Sequence, residues 1–119
     1  MLAYKRRYNH RAKLSDDELV AIEEELKNLA YDKIEKKEDF CLVDLVGDNW
    51  DGLEVQTIYD KYAKDESLKC ADNKTVTKKA ALDAGYILKN IIIDDSRHYF
   101  VCYKKKRNGK WNNYYKVIE

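Results

Sequence analysis

Residues 86–118 read YILKNIIIDDSRHYFVCYKKKRNGKWNNYYKVI, and the fold turns on how this stretch is divided. Its runs 86–93, 98–106 and 111–118 are rich in Tyr, Ile, Val and Phe, and the turn sequences DDSR and Asn108-Gly109 separate them. The pattern predicts a three-stranded antiparallel meander. Asn-Gly fits a two-residue type I′ turn, whose twist matches the strands it joins, so the register of the second hairpin follows: Tyr103 opposite Tyr114, Cys102 opposite Tyr115, Phe100 opposite Val117. Because side chains alternate across a strand, Phe100, Cys102, Trp111, Tyr115 and Val117 share one face, expected toward the core. Tyr99, Tyr103, Lys105, Tyr114 and Lys116 share the other, expected toward solvent.

Upstream the period is helical. Ser15 with Glu18 three residues on forms a capping box, and Leu14 with Leu19 a hydrophobic staple, so a first helix starts here. Asp16, Asp17 and Glu18 stand at the positive end of its dipole, and Lys33, Lys36 and Lys37 at the negative end. Leu19, Ile22, Leu26 and Leu29 give one buried stripe, with Glu23, Glu24 and Glu25 expected beside it toward solvent. FCLVDLV at 40–46 fits either a strand or one buried helical turn, and period alone does not choose. After the turn GDNWDG, Val55, Ile58, Tyr59 and Tyr62 fall at i, i+3, i+4 and i+7, a second helix from about Leu53 to Lys64. Asp65 to Lys74 reads as a loop. A third, short helix capped by Thr75 or Thr77 runs through Ala80, Ala81 and Leu82 and ends at Gly85. The expected architecture is α+β: a basic flexible arm over 1–13, then a single domain over 14–119 of three helices followed by the meander, with helices covering one sheet face.

Charge is the second informative feature. The formal net charge of +1 is a cancellation. Residues 1–13 hold five cations and no acid, residues 14–96 hold 11 Lys and Arg against 21 Asp and Glu, and residues 97–119 hold seven cations against Glu119 alone. Local charge sets the field a partner meets, so basic ends around an acidic middle point to polyanions and to basic protein surfaces as partners. Cys41, Cys70 and Cys102, odd in number and about 30 residues apart, match neither a disulfide framework nor paired zinc ligands, which argues for a reducing, cytoplasmic setting. No apolar run reaches the roughly 20 residues that span a bilayer, so no membrane is expected as a partner.

Catalysis has little to stand on. His10 lies in the arm and His98 at a strand edge, and neither belongs to a recognisable constellation with a Cys, Ser or Asp. Asp94 and Asp95 suit a turn for conformational reasons alone. The four glycines, Gly47, Gly52, Gly85 and Gly109, are not spaced as a nucleotide loop. No enzyme, metal or cofactor is expected. By contrast, KKKRNGK puts Lys104, Lys105, Lys106, Arg107 and Lys110 on one hairpin tip able to straddle phosphates, and Tyr99, Tyr103 and Tyr114 supply rings for stacking on unpaired bases.

Two resemblances sharpen this. A helix bearing Lys78 and Lys79, then Gly85, then a basic hairpin is the order of recognition helix and wing. The segment from Tyr59 to Tyr103, with TVTKKAALDAGY in its middle, resembles the winged-helix modules of phage and plasmid replication and regulatory proteins, which implies a DNA-binding regulator with residues 104–110 as its wing. Residues 3–15, AYKRRYN followed by HRAKLS, resemble the Arg- and Tyr-rich opening of a phage-encoded type II-A anti-CRISPR family whose members inhibit RNA-guided DNA nucleases. That resemblance implies a basic-arm role for Lys5, Arg6, Arg7, Tyr8 and Arg11, and a CRISPR nuclease or its guide-RNA complex as partner. The leading expectation is therefore a non-enzymatic phage or mobile-element inhibitor that blocks the nucleic-acid-binding surfaces of such a nuclease. A winged-helix regulator binding DNA or RNA directly is the alternative, and a viral assembly protein whose acidic and basic patches pair between copies is a third. The absence of an apolar period in residues 1–13 predicts that deleting them leaves the thermal midpoint unchanged; a truncated protein that loses its helical circular dichroism would place the arm in the fold.

Overall fold

The structure, a computed structural model, describes residues 14–64, 73–95 and 97–118. In chain order it contains α1 (Asp16–Glu35), α2 (Leu42–Val46), α3 (Gln56–Ala63), α4 (Asn73–Asp94), β1 (Phe100–Arg107) and β2 (Lys110–Val117). The class is α+β, as the sequence predicts, with four helices and a two-stranded antiparallel sheet among the described residues.

The capping box is present in both directions. Glu18 donates its backbone N–H to Ser15 Oγ at 3.1 Å, and Ser15 donates its own to Glu18 Oε1 at 2.9 Å. That backbone bond from Ser15, together with Lys61 of α3 at 3.2 Å, holds the Glu18 carboxyl below its ordinary value. Ile22, Leu26, Ala30 and Ile34 form the buried stripe of α1. Glu25 departs from expectation: instead of facing solvent, its two carboxylate oxygens accept the backbone N–H groups of Glu54 and Val55 at 2.8 and 3.2 Å. The turn leading into α3 lacks a side-chain cap of its own, and a carboxylate from α1 satisfies donors that would otherwise lack a partner.

The third strand expected over 86–93 is helix. α4 runs unbroken for 22 residues, and Val76, Ala80, Ala84, Ile87, Leu88, Ile91 and Ile92 line its buried side at steps of three and four. YILKNIII has the spacing of helical turns rather than alternation; three consecutive β-branched isoleucines imitate a strand, but packing against α1 and α3 overrides their propensity. Gly85 does not end the helix. It sits in mid-helix without a positive φ, at a cost of about 1 kcal/mol relative to Ala.

The hairpin has the expected register, with Phe100 opposite Val117, Cys102 opposite Tyr115 and Tyr103 opposite Tyr114. Asn108 and Gly109 hold φ of 52° and 78°, the left-handed pair a type I′ turn demands. A third sheet partner exists, but it comes from upstream. Phe40 exchanges both backbone hydrogen bonds with Tyr115, donating to its carbonyl at 3.1 Å and accepting from its N–H at 2.8 Å. FCLVDLV therefore divides its roles: Phe40 pairs with the sheet, Cys41 caps, and Leu42–Val46 is helix. The Phe40 ring lies 5.8 Å from the Tyr115 ring, and both are buried in the core that α1, α3 and α4 share with Phe100.

The fully buried Phe40 and the capping Ser15 test different levels of this organisation. Phe40→Ala is expected to lower the unfolding free energy by about 3–5 kcal/mol, and Ser15→Ala by about 1 kcal/mol. Equal losses in urea denaturation would mean that the bridge matters no more than one helix cap.

Candidate nucleic-acid interface

Folding sorts the charge of the chain by element. Residues 14–64, which include α1 to α3, hold 15 acids against six lysines. α4 holds four lysines against two aspartates, and residues 97–118 hold seven cations and no acid. The basic residues concentrate on α4 and the hairpin, the acidic ones on the elements α1 to α3 and the connections between them.

Within the hairpin, cations differ in what holds them. Arg107 donates to the Asp44 carboxylate of α2 and to Tyr114 Oη at 3.4 Å, and it reaches Cys41 Sγ at 3.9 Å. Burial raises the Asp44 carboxyl, yet the Arg107 guanidinium and the Cys41 backbone N–H outweigh it and leave the group below its ordinary value. Arg107 is correspondingly held above its own. Arg97 lies 4.7 Å over the Tyr31 ring of α1. These two arginines fasten the hairpin to the acidic layer. Lys104, Lys105, Lys106 and Lys110 are exposed, and among the described residues no acid pairs with them.

The aromatic residues also divide. Tyr114, expected to be exposed, is only 7 % accessible. It stacks on Tyr103 with ring centroids 5.6 Å apart. The reason is the bridge at Phe40: with the Phe40 ring on the core face, Asp39 and Cys41 project to the opposite one and cover Tyr114 there. Tyr103 donates to Asp39 Oδ2 at 2.6 Å, which pushes its phenol up to about 12. Trp111 moves the other way. Expected in the core, it is 67 % exposed, because the hairpin outruns the helices that cover Phe100 and Tyr115. Cys102 is exposed as well, on the strand that does not pair with Phe40.

On α4, Lys78 is exposed and Lys79 half-buried. Lys78 belongs to a longer row that the sequence reading missed. Lys74, Lys78, Leu82, Tyr86 and Lys89 recur at steps of four, four, four and three along one outward side, with Leu82 54 % and Tyr86 39 % exposed. The spacing was present in the sequence but was cut by ending the helix at Gly85. On the hairpin, desolvation raises the Cys102 thiol, and the charges of Lys89 and Lys104 oppose that rise. Cys102, Lys104, Lys106 and Trp111 share a sheet face, and Lys106 Nζ sits 6.0 Å from the Trp111 ring centroid. Lys5, Arg6, Arg7, Tyr8 and Arg11 lie outside the described residues.

Elsewhere, His98 Nδ1 lies 3.1 Å from Asp95 Oδ2, while Asp95 Oδ1 accepts the backbone N–H groups of Arg97 and His98. The pair closes the turn from α4 to β1, a contact the sequence reading did not anticipate. Among the described residues no group of three His, Cys, Asp or Glu side chains is placed to hold a metal ion, and no helix is long and apolar enough to cross a membrane. No family model, curated protein or solved structure matches the chain.

The Tyr103–Asp39 bond needs the phenol proton, so its contribution is complete below the ordinary tyrosine range near pH ~10 and is lost as pH rises through about 12. Asp39→Asn is expected to move one late phenolate step in the ultraviolet absorbance titration back toward ~10. Superimposable titrations of the two proteins would remove the carboxylate as its cause.

Proposed function

We propose that this protein binds B-form DNA with α4 and the β1–β2 hairpin, in the manner of a winged helix. The observation that carries the reading is a pair of exposed basic surfaces, the Lys74–Lys89 row of α4 and the hairpin lysines Lys104, Lys105, Lys106 and Lys110 that no acid among the described residues pairs with. The order helix, bridge, helices, long helix, hairpin supports it, with Phe40 in the place of a first strand beside β2. Catalysis plays no part in the reading. The chemistry is recognition. Lysines neutralise phosphates and release their counterions, while an exposed helix side fits a B-DNA major groove, which the deep, narrow groove of A-form RNA does not allow. Leu82 and Thr77 offer contacts suited to a thymine methyl and to base edges.

A second reading, inhibition of an RNA-guided nuclease, draws on that same layer. Asp16, Asp17, Glu24, Asp32 and Glu35 are exposed along α1 and complement a basic nucleic-acid channel. Capture of a nuclease from host lysate that survives nucleic-acid digestion favours this reading; capture that digestion abolishes favours DNA binding.

For DNA binding, Lys104, Lys105 and Lys106 replaced together by Gln are expected to weaken duplex affinity and flatten the dependence of log affinity on log salt by about 0.9 per lost contact. Arg107 stays unchanged in this variant, since it holds Asp44. Anisotropy at two salt concentrations measures the effect, and an unaltered slope would reduce the lysines to protection of a sheet edge.

A further inference from the structure

The hairpin tip carries a group that phosphate binding does not use. Among the described residues Trp111 is the most exposed of the large apolar side chains, with two-thirds of its surface in solvent. It stands directly across from Lys106, one residue inside the Arg107–Lys110 pair that closes the turn. A tryptophan ring flanked by cations recognises another π-face. Within continuous duplex DNA those faces are covered by neighbouring base pairs, and only polar edges and phosphates are accessible from the grooves. A ring at this position finds a partner only where stacking is interrupted.

The fold carries the two kinds of group on different elements. Lys74 to Lys89 spans 15 helical steps of α4, about 22 Å. Trp111 and Lys106 stand at the hairpin tip, four strand residues or about 14 Å along β1 from Cys102. Paired and unpaired DNA can therefore be met by separate parts of one protein. Resting on the DNA-binding reading above, we infer that the protein is specific for junctions between duplex and single-stranded DNA: α4 and Lys104 hold the duplex phosphates, and Trp111 stacks on the first unpaired base, with Lys106 at the adjoining phosphate.

The test uses the full chain and three matched DNAs, a blunt duplex, a single strand and a duplex with a single-stranded overhang, followed by anisotropy and by tryptophan emission. The overhang duplex is expected to bind about 5- to 150-fold more tightly than the blunt one, the range that one stacked base contributes. Its binding should quench tryptophan emission, and Trp111→Ala should abolish both the preference and the quenching without changing blunt-duplex affinity. Trp111→Phe should retain part of the preference. Circular dichroism identical to the parent protein checks that the variants fold, as a side chain this exposed allows. Equal, salt-dependent affinity for blunt and overhang duplexes overturns the junction assignment and leaves DNA binding standing. Single strand bound as tightly as the junction overturns it as well, in favour of stacking alone. No binding to any of the three removes both.

Discussion

The two backbone hydrogen bonds between Phe40 and Tyr115 are the constraint on which the rest of the structure depends. A two-stranded hairpin is marginal by itself in water. Here Tyr115 has a partner on its outer side as well, and that partner enters from the connection between α1 and α2. Because strand side chains alternate, fixing Phe40 fixes its neighbours: its own ring joins Tyr115 and Phe100 in the core, and Asp39 and Cys41 fall on the opposite face. From that follow the cover over Tyr114, the bond from Tyr103 to Asp39, and the seat of Arg107 against Asp44 beside Cys41. One bridge thus joins the acidic layer to the basic hairpin and gives the hairpin a fixed direction relative to α4.

Fixed direction matters for recognition. Lysines on a swinging hairpin would add charge but no geometry, whereas here two arginines hold the hairpin and the lysines point outward. The partition follows side-chain chemistry. Arg107 has a planar fork that bonds a carboxylate, a phenol and a thiol group together, and Arg97 lies flat on Tyr31, while lysine is a hydrated point charge suited to exposed phosphate contact. Near-neutral total charge is thus compatible with polyanion binding, because the hairpin keeps exposed lysines that no acid among the described residues pairs with.

The proposed interface combines an electrostatic surface with one stacking group. In that proposal the row on α4 and the face of β1 would supply attraction that depends on salt and is largely indifferent to sequence, and Leu82, Thr77 and Trp111 would be the positions from which discrimination arises. The exposed acids of α1 are the residues on which the alternative reading, a protein partner, draws.

Signals that need only neighbours in the chain were legible. Ser15 and Glu18 specify the start of α1, and Asn108-Gly109 specifies the turn, the register and the pairing of Tyr103 with Tyr114, because capping and type I′ geometry are local. The run 86–93 was ambiguous for a physical reason: isoleucines at 91–93 satisfy strand propensity and a helical stripe equally, and only α1 and α3 packed on one side decide for helix. Reading Gly85 as a terminator cut the Lys74–Lys89 row in two, so half of the candidate interface went unseen. Burial on the hairpin was equally out of reach, since alternation gives two faces but not where the cover stops. Trp111 lies past that limit and is exposed; Tyr114 lies under a segment 75 residues upstream and is buried. The sequence by itself determined the helix cap, the hairpin and the separation of charge along the chain. Which residues of the hairpin are buried, and which of its cations are tied to acids, depended on contacts between distant residues, and those the tertiary structure alone decided.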